Sequence, residues 1–268
     1  MTVRIAVANQ KGGVGKTTTA VNLGSALGKR RQRVLLVDLD PQANATSGLG
    51  LAKDSEASMF EVLLEGMAIE SVVRATGFAN LELAPAATSM AGAEVELVAQ
   101  LARESRLREA LRRVEGVYDV IIVDCPPSLG LLTVNALVAC ERVLIPLQCE
   151  YYSLEGLAQL VAAVDLVRDR LNPELRVFGV LMTMEDRRNR LSVQVVQDVR
   201  RHFPREILQT RIPRAVRLAE APSHGKPVDE YDAGSRGARA YSDLAREVLT
   251  RLRTEHAIEL PAPVAAHG

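Results

Sequence analysis

Val3-Arg4-Ile5-Ala6-Val7-Ala8, followed two residues later by Lys11-Gly12-Gly13-Val14-Gly15-Lys16-Thr17-Thr18, decides the fold of this chain. An apolar run that reads as a strand enters a turn rich in glycine, and the turn opens directly into a helical pattern. That is the setting of a phosphate-binding loop. Its glycines let successive N–H groups curl toward phosphate oxygens, and the helix that follows adds the positive end of its dipole. Lys16 is placed to reach the β- and γ-phosphates, and the Thr17 hydroxyl to ligate Mg²⁺. The usual template has a glycine five residues before the last one, but here Gln10 stands at that position and Lys11 lies inside the loop. A second lysine is a second phosphate-seeking charge.

Outward from the loop, apolar β-branched runs recur at Val34 to Val37, Leu81 to Leu83, Val120 to Val123, Val143 to Leu147, Val177 to Met182 and Ile207-Leu208. Most lack period-two alternation, as strands covered on both faces do. Helical patterns separate them, at Lys16 to Arg30, Ala93 to Val114, Leu129 to Cys140, Ser153 to Leu171, Leu191 to Phe203 and Ser235 to Leu252. The expected fold is α/β, a mostly parallel twisted sheet of about seven to eight strands with helices on both faces and ligands at the carboxyl ends of the strands. Residues 48–79 read as short helices capping the site. Residues 1–254 are expected to form a single domain, with 255–268 as a flexible tail.

Composition narrows the class. The chain has 268 residues, 47% of them hydrophobic, with Lys+Arg and Asp+Glu both at 33, so overall charge points to neither nucleic acid nor membrane. Cys125, Cys140 and Cys149 have no CxxC spacing and are odd in number, which argues against a disulfide framework and for buried thiols in a reducing compartment. No apolar stretch reaches the length of a membrane span, and no basic-then-apolar leader precedes the first strand, so a cytoplasmic location is expected.

Two acidic signals complete the site. Val34-Leu35-Leu36-Val37-Asp38-Leu39-Asp40-Pro41-Gln42 ends an apolar run in two carboxylates, and Pro41 turns the chain out of the sheet there. Val120-Ile121-Ile122-Val123-Asp124-Cys125-Pro126-Pro127 repeats the arrangement, in the form of a Walker B aspartate that orients Mg²⁺.

These motifs together resemble the ParA/Soj family of chromosome- and plasmid-partitioning ATPases, P-loop proteins of the deviant-Walker type that also includes MinD and the nitrogenase iron protein. Further matching stretches are Asp124-Cys-Pro-Pro-Ser-Leu-Gly130, Gln148-Cys-Glu-Tyr-Tyr-Ser-Leu-Glu-Gly156, Ile212-Pro213-Arg214 and Glu220-Ala-Pro-Ser-His-Gly-Lys-Pro227, so the likeness runs from Ile5 to about Leu249. Ala43 departs from the pattern, since that branch usually has glycine after Pro-Gln, and Arg187 and Arg190 add charge where the pattern is less basic.

The resemblance implies an ATPase that uses ATP and Mg²⁺. In it, Lys11 is the signature lysine that crosses a dimer interface to the partner's ATP, and Gly12, Gly13, Val14, Gly15, Lys16, Thr17 and Thr18 hold the phosphates. Asp40 positions or activates the attacking water, Thr17, Asp40 and Asp124 surround the metal, and Pro213 and Arg214 lie by the adenine. Lys11, Lys16 and Asp40 are thus the expected catalytic residues. The implied cycle is an ATP-dependent homodimer that binds double-stranded DNA non-specifically on the nucleoid. A ParB/Spo0J-like partner then releases it by stimulating hydrolysis.

The DNA reading has a basis in the residues themselves. Between Arg187 and Arg217 lie nine arginines against two acids, Asp198 and Glu206, a local charge of +7 in a neutral chain. Arginine forks suit phosphates, and the scarcity of aromatics favours duplex backbone contact over base stacking. By resemblance, Arg188 and Arg217 are the two that carry it. The competing readings are weaker. A MinD-like membrane cycle needs a basic amphipathic C-terminal helix, whereas Tyr241 to Arg253 carries acids. A shared iron–sulfur cluster needs a cysteine pattern that Cys125, Cys140 and Cys149 do not follow. A third alternative is a nucleotide-gated regulatory DNA-binding protein in which hydrolysis is incidental.

Overall fold

The computed structural model describes residues 2–54, 57–150, 153–186 and 189–259. The expected strands all form: β1 (Val3–Val7), β2 (Val34–Asp38), β4 (Leu81–Ala84), β5 (Val120–Asp124), β6 (Arg142–Gln148), β7 (Arg176–Glu185) and β8 (Ile207–Pro213), with a two-residue β3 (Arg74–Ala75) beside β4. They join in one sheet of eight strands in the order β3-β4-β2-β5-β1-β6-β7-β8. Every pairing is parallel except β3 with β4. From β1 the chain winds first toward β2 and β4 and later toward β6, β7 and β8. The loop after β1 therefore opens at the point where the winding reverses, which is where open α/β sheets bind ligands.

Alternate residues of each strand enter different cores, which explains the missing alternation in the sequence. Ala6, Leu35, Val37, Ile121 and Val123 face one layer. Ile5, Val7, Val34, Leu36, Val120 and Ile122 face the other. The first layer is covered by α3 (Met59–Leu64), α4 (Ile69–Val72), α5 (Met90–Val98), α6 (Arg106–Arg112), α7 (Leu131–Ala139), α8 (Ser153–Arg170) and α9 (Arg190–His202). The second lies under α1 (Lys16–Gly28), α2 (Asn44–Gly48), α10 (Val216–Glu220), α11 (Val228–Tyr231) and α12 (Arg236–Glu259).

Two boundaries differ from the sequence reading. The helix expected over Ala93 to Val114 is broken into α5 and α6, with Ala102 in the left-handed region at φ 50°. The cause is tertiary: Asn135 of α7 donates to the Arg103 carbonyl at 2.7 Å and accepts from the Leu107 N–H at 3.1 Å, capping α6 from outside. At the C-terminus, α12 continues to Glu259, past the point where the tail was expected to start. There Glu255 is 2.8 Å from Arg142, whose side chain is only 5% exposed, an ion pair that ties the helix end to β6.

The end of α1 sets a close approach. A Cβ on Gly28 would lie 2.1 Å from the Ala79 carbonyl oxygen, and the Asn80 side chain donates to the Gly28 carbonyl. Backbone cannot step aside as a side chain can, so Gly28→Ala should destabilise the fold by about 1–3 kcal/mol. A lowered urea midpoint with an unchanged slope is the expected result; an unchanged midpoint would show that the seam is loose.

Candidate functional site

The register of the sheet assembles the site. Val7 of β1 pairs with Asp124 of β5, and Asp124 pairs in turn with Asp38 of β2, so one row holds the entry to the glycine loop and two carboxylates. Asp40 follows two residues beyond β2. Thus Lys16, Asp40 and Asp124 converge: both carboxylates act electrostatically on the Lys16 ammonium.

Between β1 and α1 the backbone takes positive φ at Gly13 (73°) and Gly15 (90°), the latter as the N-cap of α1. A side chain at either would strain the turn, and the turn aims the first N–H groups of α1 outward from its N-terminus. The loop is fixed from behind by the strands after it. Asn9 Nδ2 donates to the Pro146 carbonyl at 2.8 Å while its Oδ1 accepts from the Lys11 N–H, and the Thr183 hydroxyl donates to the Val14 carbonyl at 2.8 Å. Gly12 has open space on its Cβ side. Thr17 and Thr18 fall in the first turn of α1, where the Thr18 carbonyl accepts from Asn22.

The two lysines already have acceptors. Lys16 Nζ, 6% exposed, donates to the Lys11 carbonyl at 3.1 Å. Its burial lowers its pKa, and Asp124 and Asp40 pull it back up. Lys11 Nζ meets Glu150 Oε2 at 2.7 Å.

The three carboxylates have different surroundings. Asp38 is fully buried and accepts from the Thr46 N–H, the Thr46 hydroxyl and the Asp40 N–H. Burial outweighs those bonds and pushes its pKa up to about 6. Its lone pairs hold the turn after β2 and are not open to a ligand. Asp40 accepts from the Gln42 N–H at 3.0 Å and is nearly buried at the mouth of the loop. Asp124 is fully buried, and the donor that acts on its carboxylate is the Thr17 hydroxyl, outside ordinary hydrogen-bond geometry. Burial first, and then the charge of Asp38, raise its pKa well above the usual carboxylate range. Ala43, the departure noted in the sequence, sits buried in the left-handed region at φ 49° and caps α2, a conformation that glycine adopts more easily.

Pro213 ends β8 and Arg214 follows it. They line a cavity of about 260 Å³ together with Gly15, Thr18, Thr183, Leu218 and Tyr241, among others. Sequence reading missed Thr183, Met184, Ile212, Leu218 and Tyr241, which come from β7, β8, α10 and α12. One local signal existed only in the backbone: Met184, also in the lining, has φ 52° where the register between β7 and β8 shifts.

The basic window is less uniform than its count. Arg187 and Arg188 lie outside the described residues, as do Tyr151 and Tyr152 of the matched stretches. Arg211 is paired with Glu185, Arg201 with Asp198 at 3.1 Å, and Arg217 with both Glu220 at 2.8 Å and Asp232 at 3.2 Å. Arg217 also stands 5.9 Å over the Tyr231 ring. Three of these acids lie outside the counted window. Arg217 remains half exposed on α10, next to Leu218, which lines that cavity. No helix of the described residues is long and apolar enough to cross a membrane, and the three cysteines are buried.

Comparison with known proteins agrees with this geometry. Residues 2–177 match the family model described as an AAA domain. The chain is 55% identical over 245 residues to the sporulation initiation inhibitor protein Soj of Bacillus subtilis, covering 91% of this chain and 97% of that one. It is 52% identical to the chromosome partitioning protein ParA of Myxococcus xanthus, covering 92% and 88%. Among solved structures, a Mycobacterium smegmatis protein described as cobyrinic acid a,c-diamide synthase, with bound ATP analog and magnesium, superposes with a TM-score of 0.84 at 38% identity, covering 95% and 97%. About half of its residues are identical to Soj and ParA proteins over more than nine-tenths of the chain, and with a glycine-rich loop at the reversal of a parallel sheet flanked by strand-end aspartates, this protein belongs to the Soj/ParA family of chromosome-partitioning ATPases.

Proposed function

We propose that the chain binds ATP with Mg²⁺ between the loop and the β7–β8 cavity and dimerises through Lys11. In this cycle the dimer binds duplex DNA without sequence preference, and a ParB-like partner triggers hydrolysis and release. The reading also places the protein in the cytoplasm, associated with the nucleoid. The observation that supports its nucleotide part is the row Val7–Asp124–Asp38, which puts Asp124 in register with the strand leading into the loop, near enough for Lys16 and Asp40 to act on it electrostatically.

The Asp124 carboxylate is the test of fit for a metal. A buried carboxylate whose one nearby donor is the Thr17 hydroxyl suits a hard cation that Thr17 and Asp40 could share. The chemistry such a cation would supply there is neutralisation of negative charge on the phosphates. The protein's own groups do the rest. Lys16 and the N–H groups at the start of α1 hold the phosphates, Asp40 is positioned to orient water, and the cavity of Pro213 and Tyr241 takes the base. The nucleotide is taken to be ATP because a relative from Treponema pallidum is named a chromosome-partitioning ATPase and the Mycobacterium smegmatis structure holds an ATP analog.

For DNA, the support is Arg217, half exposed on α10, together with the exposed Arg200 and Arg205. Each phosphate that an arginine neutralises adds about 0.9 to the salt slope of binding, and a dimer doubles the count. Mobility-shift titrations with ATP and with ADP at two salt concentrations test this. Wild type should bind only with ATP, and Arg217→Glu should lose binding equally on unrelated sequences while still dimerising. Undiminished binding by the variant, or equal wild-type binding with ADP, would remove this surface from the mechanism.

A further inference from the structure

Lys11 is the hub of two contacts that occupy both phosphate-seeking lysines at once. Its carbonyl accepts the Lys16 ammonium, and its own ammonium is paired with Glu150 in the same chain. The partner is not a passing surface charge. Glu150 stands just past the end of β6, where Gln148 Nε2 donates to its other carboxylate oxygen at 2.7 Å. The backbone of Lys11 is itself pinned through Asn9 to β6 at Pro146. Loop and carboxylate are therefore both anchored on β6, and the pair forms without any rearrangement of the sheet.

From this we infer that Glu150 is a latch, a positioning residue that holds Lys11 within its own protomer and sets the threshold at which the lysine can cross to a second protomer's polyphosphate. The inference rests on the dimerisation reading above. A lysine held by a carboxylate is partly neutralised and attracts a second copy's polyphosphate less. A terminal phosphate carries more charge than one carboxylate, so it can take the lysine away, whereas a diphosphate that ends short of the interface offers less. Glu150 thereby biases an attraction that would otherwise act at any nucleotide state toward the full triphosphate. Both members of the pair are partly exposed, at 38% and 47%, so the latch is weak enough to open reversibly.

Glu150→Gln tests this, since the amide keeps an acceptor for Gln148 but loses the charge. Two measurements are needed. In the nucleotide-free chain, an amine-reactive reagent read by mass spectrometry should label Lys11 about two- to fivefold faster in the variant, with exposed Lys226 as the internal reference. By sedimentation at saturating ATP, the dimer dissociation constant should fall between about 4- and 25-fold, because each dimer contains two latches. Some dimerisation with ADP should also appear. Unchanged labelling of Lys11 would overturn the latch outright. So would a variant that dimerises no better, or worse, than a wild type that does dimerise. A wild type that stays monomeric with ATP would instead overturn the dimer reading and the threshold with it, and faster labelling would then show only that the ion pair exists in solution.

Discussion

Lys16→Ala is expected to abolish ATP binding, with a loss of at least about 100-fold, or about 2.7 kcal/mol. Backbone N–H groups can still meet the phosphates, but the charge-assisted partner of the β- and γ-oxygens is gone, and such bonds are the strong ones. The site would also lose its internal balance. Lys16 is the cation that offsets Asp124 and Asp40 in a buried setting, so the variant leaves those carboxylates to repel the incoming polyphosphate. Isothermal titration with Mg-ATP, alongside circular dichroism to show an intact fold, decides the matter. Affinity within a few-fold of wild type would mean that the loop binds through backbone dipoles and that Lys16 has another role.

Asp40→Ala should separate binding from turnover, lowering partner-stimulated hydrolysis by about 10²–10⁴-fold while ATP affinity stays within about tenfold. The three carboxylates differ in what they are free to do. Asp38 spends its lone pairs on Thr46 and Asp40, and Asp124 is enclosed against the end of β1. Asp40 alone sits on the turn that leaves the sheet at the mouth of the loop, with the neighbouring Gln42 N–H as its donor. Removing it leaves the phosphate ligands in place, so an ATP-bound dimer should accumulate, and DNA binding should persist. Normal hydrolysis by the variant would shift the water-orienting role to another group. Collapse of the fold is the result expected of Asp38→Ala instead, since three donors would lose their acceptor.

How the chain displays these roles follows from how local each one is. The phosphate loop, its strand before and helix after, and the aspartates at the ends of β2 and β5 are each written in consecutive residues, and all were legible. So was the parallel sheet, because strands buried on both faces leave continuous apolar runs. The boundary at α5 and α6 was not legible, since the cap is a side chain of α7. Nor was β3, whose two exposed residues carry no apolar signal and pair only because β4 lies beside them. The charge count over the arginine window also misled in part, because the acids that meet Arg211 and Arg217 come from Glu185, Glu220 and Asp232.

By itself, then, the sequence determined the fold class, the loop and the set of charged groups that could serve it. Only the tertiary structure decided which of those groups are open. The register that aligns Val7, Asp124 and Asp38, the Thr46 donors that close Asp38, the strands and helices that enclose the cavity beside Pro213, and the Glu150 carboxylate that meets Lys11 across 139 residues all depend on long-range pairing. A side chain's chemistry is set by its own atoms, but whether its lone pairs or its charge remain available is set by whichever neighbours the packed sheet brings within bonding distance.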